Sequence, residues 1–332
     1  MRSNWWRKQS DDKRRNIGKR AEARPYWCNC EKLHGGGLMS GGFSAKHLAV
    51  VGLGLMGGSL ALALRPYVET ITGVDRSQET LEYALAHKIV DHGTNDLKAG
   101  VEQADVVLLA APVRTIISIV HDRIGAYLRS NTLLVDIGST KTDICNAMGR
   151  LPIGVQAIGG HPMTGKESSG VESSDAALYK GRPFVLCATR RTTPAARLRA
   201  LSLVEALGAV PYEMEAARHD RAVAAISHLP YLLSAALVAT VAQEGREDDA
   251  VWNLAAGGFR DMSRLAASDL NMMRDILTTN TTAVATLLAH FRMQLAMLEA
   301  MLISKDEEHL TELLLPAREA RLTWVKHLER KP

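Results

Sequence analysis

Four residues of this 332-residue chain have types and settings that suit chemistry. His161 lies in the segment G-G-H-P-M, and an imidazole with an ordinary pKa of about 6.5 can take a proton from a hydroxyl near neutral pH. Ser139, in G-S-T-K, could hydrogen-bond both that hydroxyl and the imidazole. His228 precedes a Leu-Pro pair. Arg264 follows a glycine pair that begins at Gly257, and its planar guanidinium could clamp a carboxylate.

Each of these residues also has a structural explanation. The glycines and proline around His161 shape a rigid turn just past a predicted strand, so this histidine could be structural. Ser139 could cap a helix predicted over residues 141–148. Arg264 could form a surface salt bridge. Five other histidines lie on helical stretches and suit solvated or packed positions: His87, His121, His290, His309 and His327.

A glycine-rich stretch could bind a cofactor that reacts with the same substrate as the histidine. Its sequence is A-V-V-G-L-G-L-M-G-G-S. It passes from β-formers through Gly52, Gly54 and Gly57 at the spacing G-x-G-x-x-G into a helix-compatible run. In a dinucleotide-binding unit these glycines permit the turn, the approach of a pyrophosphate and close helix packing. The phosphates would lie on free N–H groups at the helix start, near Leu55 and Met56. The G-x-G-x-x-G spacing alone could mark only a turn, so the neighbouring sequence must show whether it belongs to a dinucleotide site.

The context agrees with a dinucleotide site. A second predicted strand ends at Asp75, 18 residues beyond Gly57, where such folds place an acid against the adenosine ribose. A carboxylate there would repel a 2′-phosphate, which favours NAD over NADP, although Arg76 could accept that phosphate. Ala111 and Pro112, where a later strand ends, complete the predicted cofactor-binding set.

The elements that carry these residues alternate between strand and helix from His47 onward, which predicts a parallel sheet with crossover helices. The fold class is therefore α/β, with a Rossmann-type dinucleotide-binding domain at 46–213 and an all-helical domain at 214–332. The predicted strands cover residues 47–53, 70–75, 89–93, 105–111, 132–137, 155–159, 183–189 and 209–213. Predicted helices include 78–87 and 115–127.

The helical half contains an apolar seam at alternating steps of four and three, which predicts one long helix. An intramolecular helix hairpin would explain it, but its length favours a homodimer formed through this domain. The seam consists of Leu277, Thr281, Val284, Leu288, Phe291, Leu295, Leu298 and Leu302.

Composition and charge narrow the class of protein. The chain is 46% hydrophobic and 23% charged, as in globular proteins, and no uninterrupted apolar run approaches a membrane span. The net charge is +4, but residues 1–38 hold ten lysines and arginines against four acids, so residues 39–332 carry −2. We therefore expect no nucleic-acid or membrane partner. Four irregularly spaced cysteines indicate a reducing, cytoplasmic location.

Residues 1–45 show no apolar period and are predicted to be a disordered arm, or a mis-assigned start if translation begins at Met39. Cys28, Cys30 and His34 do not have a recognised zinc spacing, so we expect no metal site. We also expect no regulatory ligand-binding module beyond Ile303.

Taken together, the motifs resemble the prephenate dehydrogenase family, which includes arogenate and cyclohexadienyl dehydrogenases. They are V-V-G-L-G-L-M-G-G-S, D-I-G-S-T-K, G-G-H-P-M-T-G-K-E-S-S-G-V-E, H-D-R-A-V-A-A-I-S-H-L-P and G-G-F-R-D-M-S-R-L-A-A-S-D, and they span residues 46–303. The resemblance implies a dinucleotide-binding domain, a helical dimerisation domain and NAD-dependent oxidative decarboxylation of prephenate to 4-hydroxyphenylpyruvate in tyrosine biosynthesis. Arogenate, or both substrates, is the alternative.

The resemblance also implies roles for individual residues. His161 would deprotonate the ring hydroxyl with support from Ser139, His228 would line the substrate site, and Arg264, near Gly257, would bind a substrate carboxylate. A β-hydroxyacid dehydrogenase shares the G-L-G-x-M-G opening, but those enzymes use a helical lysine that is absent between Lys180 and Lys305. A non-catalytic NAD-sensing protein is the more distant alternative.

Overall fold

The computed structural model describes residues 42–329. These residues contain one sheet of eight strands. Their order is β3-β2-β1-β4-β5-β6-β7-β8, and neighbours run parallel except β6 and β7. The first six strands have the order of a doubly wound nucleotide-binding sheet. The strands are β1 Ala45–Val51, β2 Val68–Val74, β3 His92–Thr94, β4 Val106–Leu109, β5 Leu133–Asp136, β6 Gln156–Pro162, β7 Pro183–Ala188 and β8 Val210–Glu213.

Helices connect these strands and then form the whole of the second half. In the sheet-containing half they are α1 Leu55–Leu64, α2 Gln78–Ala86, α3 Leu97–Val101, α4 Val113–Asp122, α5 Thr142–Met148 and α6 Pro194–Ala206. In the helical half they are α7 Ala216–Val223, α8 Leu229–Glu244, α9 Ala250–Asn253, α10 Gly257–Ser263, α11 Leu270–Thr279, α12 Thr281–Ser304 and α13 Glu307–Glu329.

The central strands of the sheet are buried on both faces, which explains why β4 and β5 are continuous apolar runs. In β1, Leu48 and Val50 belong to one apolar cluster, whereas Ala49 and Val51 belong to a second. Because successive strand side chains point to opposite faces, helices must cover both sides. The carboxyl ends of β1, β2 and β4 are left side by side at one edge.

The predicted strands are all present, with shifted ends. β3 begins three residues later than predicted, and α4 ends at Asp122, before the predicted end at 127. The prediction of a turn at His161 was wrong, because β6 continues to Pro162. Its parallel pairing with β5 stops at Ile158, and antiparallel pairing with β7 carries the strand onward.

The predicted arm falls almost wholly on residues 1–41, which lie outside the described part of the chain, as do Cys28, Cys30 and His34. Phe43 is buried in the core and β1 begins at Ala45. Residues 42–45 therefore belong to the sheet-containing half.

The apolar seam lies on two helices, so the prediction of one long helix was wrong. Helix α11 ends and α12 begins at Asn280, whose backbone leaves the helical region at φ −131° and ψ 30°. The Asn280 side chain is buried and donates a hydrogen bond to the Asp220 carbonyl oxygen at 2.7 Å. The break thus places a polar side chain in the interior between helices.

Two helical segments, Ala216–Glu244 and Thr281–Ser304, meet the length and composition criteria for crossing a membrane. Packed helices of globular proteins meet the same criteria. The first segment contains the buried side chains of His219, Asp220 and His228, which bind other parts of the protein. These contacts tie the start of the segment to the rest of the described chain.

A buried ion pair fixes the loop between β5 and α5. The Lys141 ammonium contacts the Asp136 carboxylate, and neither side chain is exposed. Asp136 also accepts hydrogen bonds from the backbone N–H of Gly138 at 2.8 Å and of Gly160 at 3.1 Å. These bonds tie the Ser139 loop to β6 immediately before His161.

Removing one partner of this pair leaves an uncompensated buried charge, so we expect Lys141→Met to lower the free energy of unfolding by about 3–5 kcal/mol. Urea denaturation followed by circular dichroism measures this. The double variant Asp136→Asn/Lys141→Met should cost less than Lys141→Met alone, and Lys98→Met, at an exposed site, should cost little. A loss below about 1 kcal/mol for Lys141→Met, the scale of exposed pairs, would contradict the assignment.

Candidate active site and nucleotide-binding loop

The three glycines of the loop after β1 are required for different reasons. Gly52 has φ +95°, and a Cβ there would lie 2.6 Å from the Ala110 carbonyl oxygen. A Cβ at Gly57 would lie 1.8 Å from the Gly52 carbonyl oxygen. A Cβ at Gly54 would meet nothing within 4 Å. The chain itself therefore demands glycine at the first and third positions, whereas the second leaves open space beside the N-terminus of α1, as a bound pyrophosphate requires.

Asp75 lies directly after β2 and is held against this loop. Its carboxylate accepts hydrogen bonds from the backbone N–H of Leu53 at 2.8 Å and of Ser77 at 2.9 Å. Arg76 beside it is exposed. In a dinucleotide-binding fold, a carboxylate fixed at the end of β2 lies beside the adenosine ribose of the bound dinucleotide.

The other predicted cofactor residues lie at the same edge of the sheet. Leu55 and Met56 begin α1, and Ala111 and Pro112 follow β4 and precede α4. The Tyr179 hydroxyl, which the sequence analysis missed, donates a hydrogen bond to the Met56 carbonyl oxygen at 2.6 Å. The position of these residues beside the glycine loop is compatible with a bound dinucleotide.

His161 lies in β6 and contacts a second histidine that the sequence analysis did not single out. His161 Nδ1 lies 2.8 Å from His219 Nε2, and His219 Nδ1 lies 2.8 Å from Asp220 Oδ1. His219 and Asp220 are buried in α7, in the helical half. The adjacent His-Asp pair in the H-D-R-A-V motif was the available signal, but its orientation toward His161 depends on long-range packing.

Asp220 connects the helical half to the start of α5. Its carboxylate accepts hydrogen bonds from the backbone N–H of Lys141 at 2.7 Å and of Thr142 at 2.8 Å. Burial alone would raise the pKa of Asp220, but hydrogen bonds from His219, Thr142 and Lys141 outweigh it and lower the pKa. Asp220 is therefore ionised at neutral pH, and it caps α5 from the other half of the chain.

This arrangement removes the capping explanation of Ser139. Helix α5 begins at Thr142, and its N-terminal N–H groups bind Asp220 rather than the Ser139 hydroxyl. Ser139 is half-buried, and its side chain makes no hydrogen bond to another described residue. Its hydroxyl is thus free to bind a ligand.

The environment of His161 keeps its imidazole neutral. Burial lowers the pKa of His161 well below its usual value, and the neighbouring His219, Lys141 and His228 lower it further, whereas Asp220 opposes them. A neutral imidazole at pH 7 can accept a proton, as a general base must.

His228 lies at the end of a π-helical turn, Ala224–His228, that precedes Pro230 at the start of α8. It is buried, and burial lowers the pKa of His228 to about 4. The Asn280 amide lies 3.2 Å from His228 Nδ1, and the same amide nitrogen donates to the Asp220 carbonyl oxygen. Because this nitrogen is a donor, His228 Nδ1 accepts, and His228 Nε2–H is left as a donor.

Arg264 and Gly257 stand apart from this cluster. Gly257 begins α10, and Arg264 begins the turn that follows it. Arg264 Nη1 lies 3.2 Å from Glu167 Oε1, and both side chains are exposed. Glu167 is six residues past His161, so the ion pair joins the turn after α10 to the loop after β6. Exposed ion pairs contribute little to stability, so a carboxylate ligand could replace Glu167.

Comparisons with known proteins identify the family. Residues 60–213 match the nucleotide-binding domain of prephenate dehydrogenase, and residues 215–315 match its dimerization domain. The chain is 31% identical to cyclohexadienyl dehydrogenase of Zymomonas mobilis over 83% of this chain and 95% of that protein. The chain belongs to the prephenate dehydrogenase family. It is thus an oxidoreductase with a Rossmann-type sheet and a helical domain, and not a β-hydroxyacid dehydrogenase.

Solved structures of the prephenate dehydrogenase family agree. The chain superimposes on prephenate dehydrogenase from Aquifex aeolicus in complex with hydroxyphenyl propionate and NAD+, with a TM-score of 0.77, 33% identity, and coverage of 85% of this chain and 99% of that one. For arogenate dehydrogenase of Synechocystis the TM-score is 0.73 and the identity 32%, with coverage of 84% and 99%.

Among residues 42–329 no cluster of three or more potential metal ligands occurs.

The open space at Gly54 yields a test of the nucleotide site. We expect Gly54→Ala to fold but to weaken nucleotide binding by about 10-fold or more, a loss of ~1.4 kcal/mol, because the added methyl occupies the pyrophosphate position. Gly57→Ala should instead lower the melting temperature strongly, because its methyl would overlap the Gly52 carbonyl oxygen. Fluorescence titration with NADH and thermal melting of both variants distinguish the two effects. Unchanged NADH affinity in Gly54→Ala would place the nucleotide elsewhere.

Proposed function

We propose that this protein catalyses the NAD-dependent oxidative decarboxylation of prephenate to 4-hydroxyphenylpyruvate, with His161 as the general base. The observation that supports this most strongly is the neutral imidazole of His161, bound to His219 and Asp220, in a family of nicotinamide enzymes. A base with a lowered pKa is free to accept the proton of a substrate hydroxyl at neutral pH.

In this proposal the protein mainly positions the substrate and moves one proton. Bound NAD supplies a hydride acceptor for the ring carbon that carries the hydroxyl. His161 Nε2 takes the hydroxyl proton as the ring ketone forms, and Ser139 hydrogen-bonds the same oxygen. Cleavage of the ring carboxylate bond releases carbon dioxide, its electron pair makes the ring aromatic, and His161 returns the proton to the phenolate oxygen. Positioning and one base suffice for these steps.

Two groups in the helical half would bind substrate carboxylates. Arg264 would exchange its exposed ion pair with Glu167 for a substrate carboxylate, a planar two-donor contact. His228, kept neutral by burial, would donate its Nε2–H. Gly257, at the N-terminus of α10, would leave room for the ligand beside Arg264.

Arogenate, alone or together with prephenate, is the alternative substrate. Relatives of this chain include a cyclohexadienyl dehydrogenase and an arogenate dehydrogenase. The two substrates differ only in the side chain remote from the reacting ring carbon. For the cofactor, the fixed Asp75 carboxylate supports NAD over NADP because it would repel a 2′-phosphate, whereas the exposed Arg76 supports the lesser NADP alternative.

The assignment of His161 predicts that His161→Asn lowers kcat about 10²-fold or more, the usual scale for a general base. Production of the reduced nucleotide, followed at 340 nm with prephenate or arogenate and with NAD or NADP, measures it and ranks the four combinations. We expect prephenate with NAD to have the highest kcat/KM. His121→Asn, at an exposed position on α4, is the matched control and should retain full turnover.

Near-normal kcat in His161→Asn would overturn the role of His161. If the wild-type protein formed no reduced nucleotide with either substrate, the proposed reaction would be wrong and a nucleotide-sensing role would replace it.

We also infer that the helical half forms a homodimer, a cytoplasmic one in keeping with the buried free thiols of Cys145 and Cys187. Along α12 the seam residues Leu288, Leu295 and Leu302 are 42%, 50% and 65% exposed in the single chain. A row of exposed leucines on a 24-residue helix is typical of a helix-to-helix interface. The matching family domain is named for dimerization.

If the helical half forms a homodimer, the wild-type protein should have twice the mass of one chain. Size-exclusion chromatography with light scattering at micromolar concentration measures this mass. Leu288→Glu/Leu295→Glu should shift this to the monomer mass, because two charges per chain would be buried in the seam. Ile153→Glu, at a 91% exposed position on the loop before β6, should leave the mass unchanged. A monomer mass for the wild-type protein would refute the homodimer.

A further inference from the structure

The hydrogen bonds behind His161 determine which of its nitrogens carries the proton. Both oxygens of Asp220 accept backbone N–H groups at the start of α5, and Oδ1 also lies 2.8 Å from His219 Nδ1. An ionised carboxylate can only accept, so His219 Nδ1 must carry a hydrogen. With one ring proton, held on Nδ1 by Asp220, the His219 ring has a lone pair on Nε2.

The same reasoning carries over to His161. Its Nδ1 lies 2.8 Å from His219 Nε2, and because that nitrogen accepts, His161 Nδ1 must donate. A neutral imidazole with its proton on Nδ1 has a free lone pair on Nε2. The chain Asp220, His219, His161 thus leaves His161 with its unprotonated nitrogen directed away from the protein contacts and available to a ligand.

Charge around His161 adds a second requirement. When His161 accepts a proton, it faces the buried Lys141 ammonium and the rings of His219 and His228, and the charge of Asp136 is already paired with Lys141. Asp220 is the carboxylate that favours a positive charge on His161. It acts through the ring of His219, which lies between them.

We propose that His219 and Asp220 are positioning residues for the base: they hold His161 in the tautomer whose Nε2 accepts the substrate proton, and Asp220, through the His219 ring, stabilises the positive charge that develops when the proton is taken. This inference rests on the proposed function of His161. Neither residue needs to contact the substrate, since both act through hydrogen bonds on the far side of the His161 ring.

The sign of the pH effect follows from these contacts. The base works only when unprotonated, so activity falls as the pH drops through the pKa of the coupled histidine pair. When one proton binds to the pair of His161 and His219, the Asp220 carboxylate stabilises the positive charge. The two rings repel each other only when a second proton binds and both are charged. Removing His219 leaves His161 beside Lys141 and His228 without that stabilisation. The acid limb of the kcat profile should therefore move to lower pH.

The test compares wild type with His219→Leu, His219→Gln and, as a matched control, His121→Leu at an exposed site. In His219→Leu we expect kcat to fall about 10²-fold, the scale of a lost general base, with the KM of the substrate unchanged. The acid limb should shift down by about one pH unit or more, because the ring that transmits the stabilisation by the Asp220 carboxylate is gone. His219→Gln, whose amide oxygen can accept from His161 Nδ1–H, should recover part of kcat with the acid limb still shifted.

Each outcome separates this inference from the proposed function. If wild type turns over substrate and His161→Asn does not, but both His219 variants keep kcat and the acid limb of wild type, the positioning role is wrong while the function stands. If His219→Leu does not fold, as judged by thermal melting, an unshifted acid limb in His219→Gln decides against the role.

A direct spectroscopic measurement is available as well. In protein with 15N-labelled histidine, the ring resonances lost in His161→Asn should show the proton on Nδ1. A proton on Nε2 would overturn the tautomer assignment whatever the kinetics show.

Discussion

The Asp220 carboxylate is the interaction on which the arrangement of the site depends. It is buried, and it keeps its charge because the free N–H groups at the start of α5 and the His219 ring all donate to it. A charge taken out of water needs such donors, and the first turn of a helix provides them together with a favourable dipole. The cap therefore joins the helical half to the sheet-containing half at the loop that carries Ser139.

Electrostatic compensation extends from this carboxylate through the rest of the site. Lys141, the residue whose N–H binds Asp220, pairs its ammonium with Asp136, and Asp136 accepts N–H groups from both the Ser139 loop and β6. The buried carboxylates thus have several donors each, while burial lowers the pKa of both His161 and His228 and disfavours their charged forms. At neutral pH these two imidazoles are therefore uncharged, and an uncharged imidazole can accept a proton or donate a hydrogen bond.

Much of the fold could be predicted because its signals are local. Most of the strands are short apolar runs, and the requirement for glycine at Gly52 and Gly57 arises from backbone atoms a few residues away or beside the neighbouring strand. The errors have long-range causes. His161 continues a strand because β7, more than twenty residues later, pairs with it. The seam breaks at Asn280 because that side chain binds Asp220, sixty residues earlier. Tyr179 was missed because it lies in no motif, and His219 because the H-D-R-A-V motif that contains it does not show which residues it contacts.

By itself, the sequence determined the nucleotide-binding half, the set of candidate residues and the family, because glycine spacing, strand periodicity and the motifs around His161 depend on neighbours along the chain. Only the tertiary structure decided how these residues act together. It replaced Ser139 by Asp220 as the cap of α5, placed His219 behind His161, and gave Arg264 an exposed partner in Glu167. The physical reason is that hydrogen-bond direction, burial and charge compensation are properties of groups that meet in space, and here those groups come from both halves of the chain.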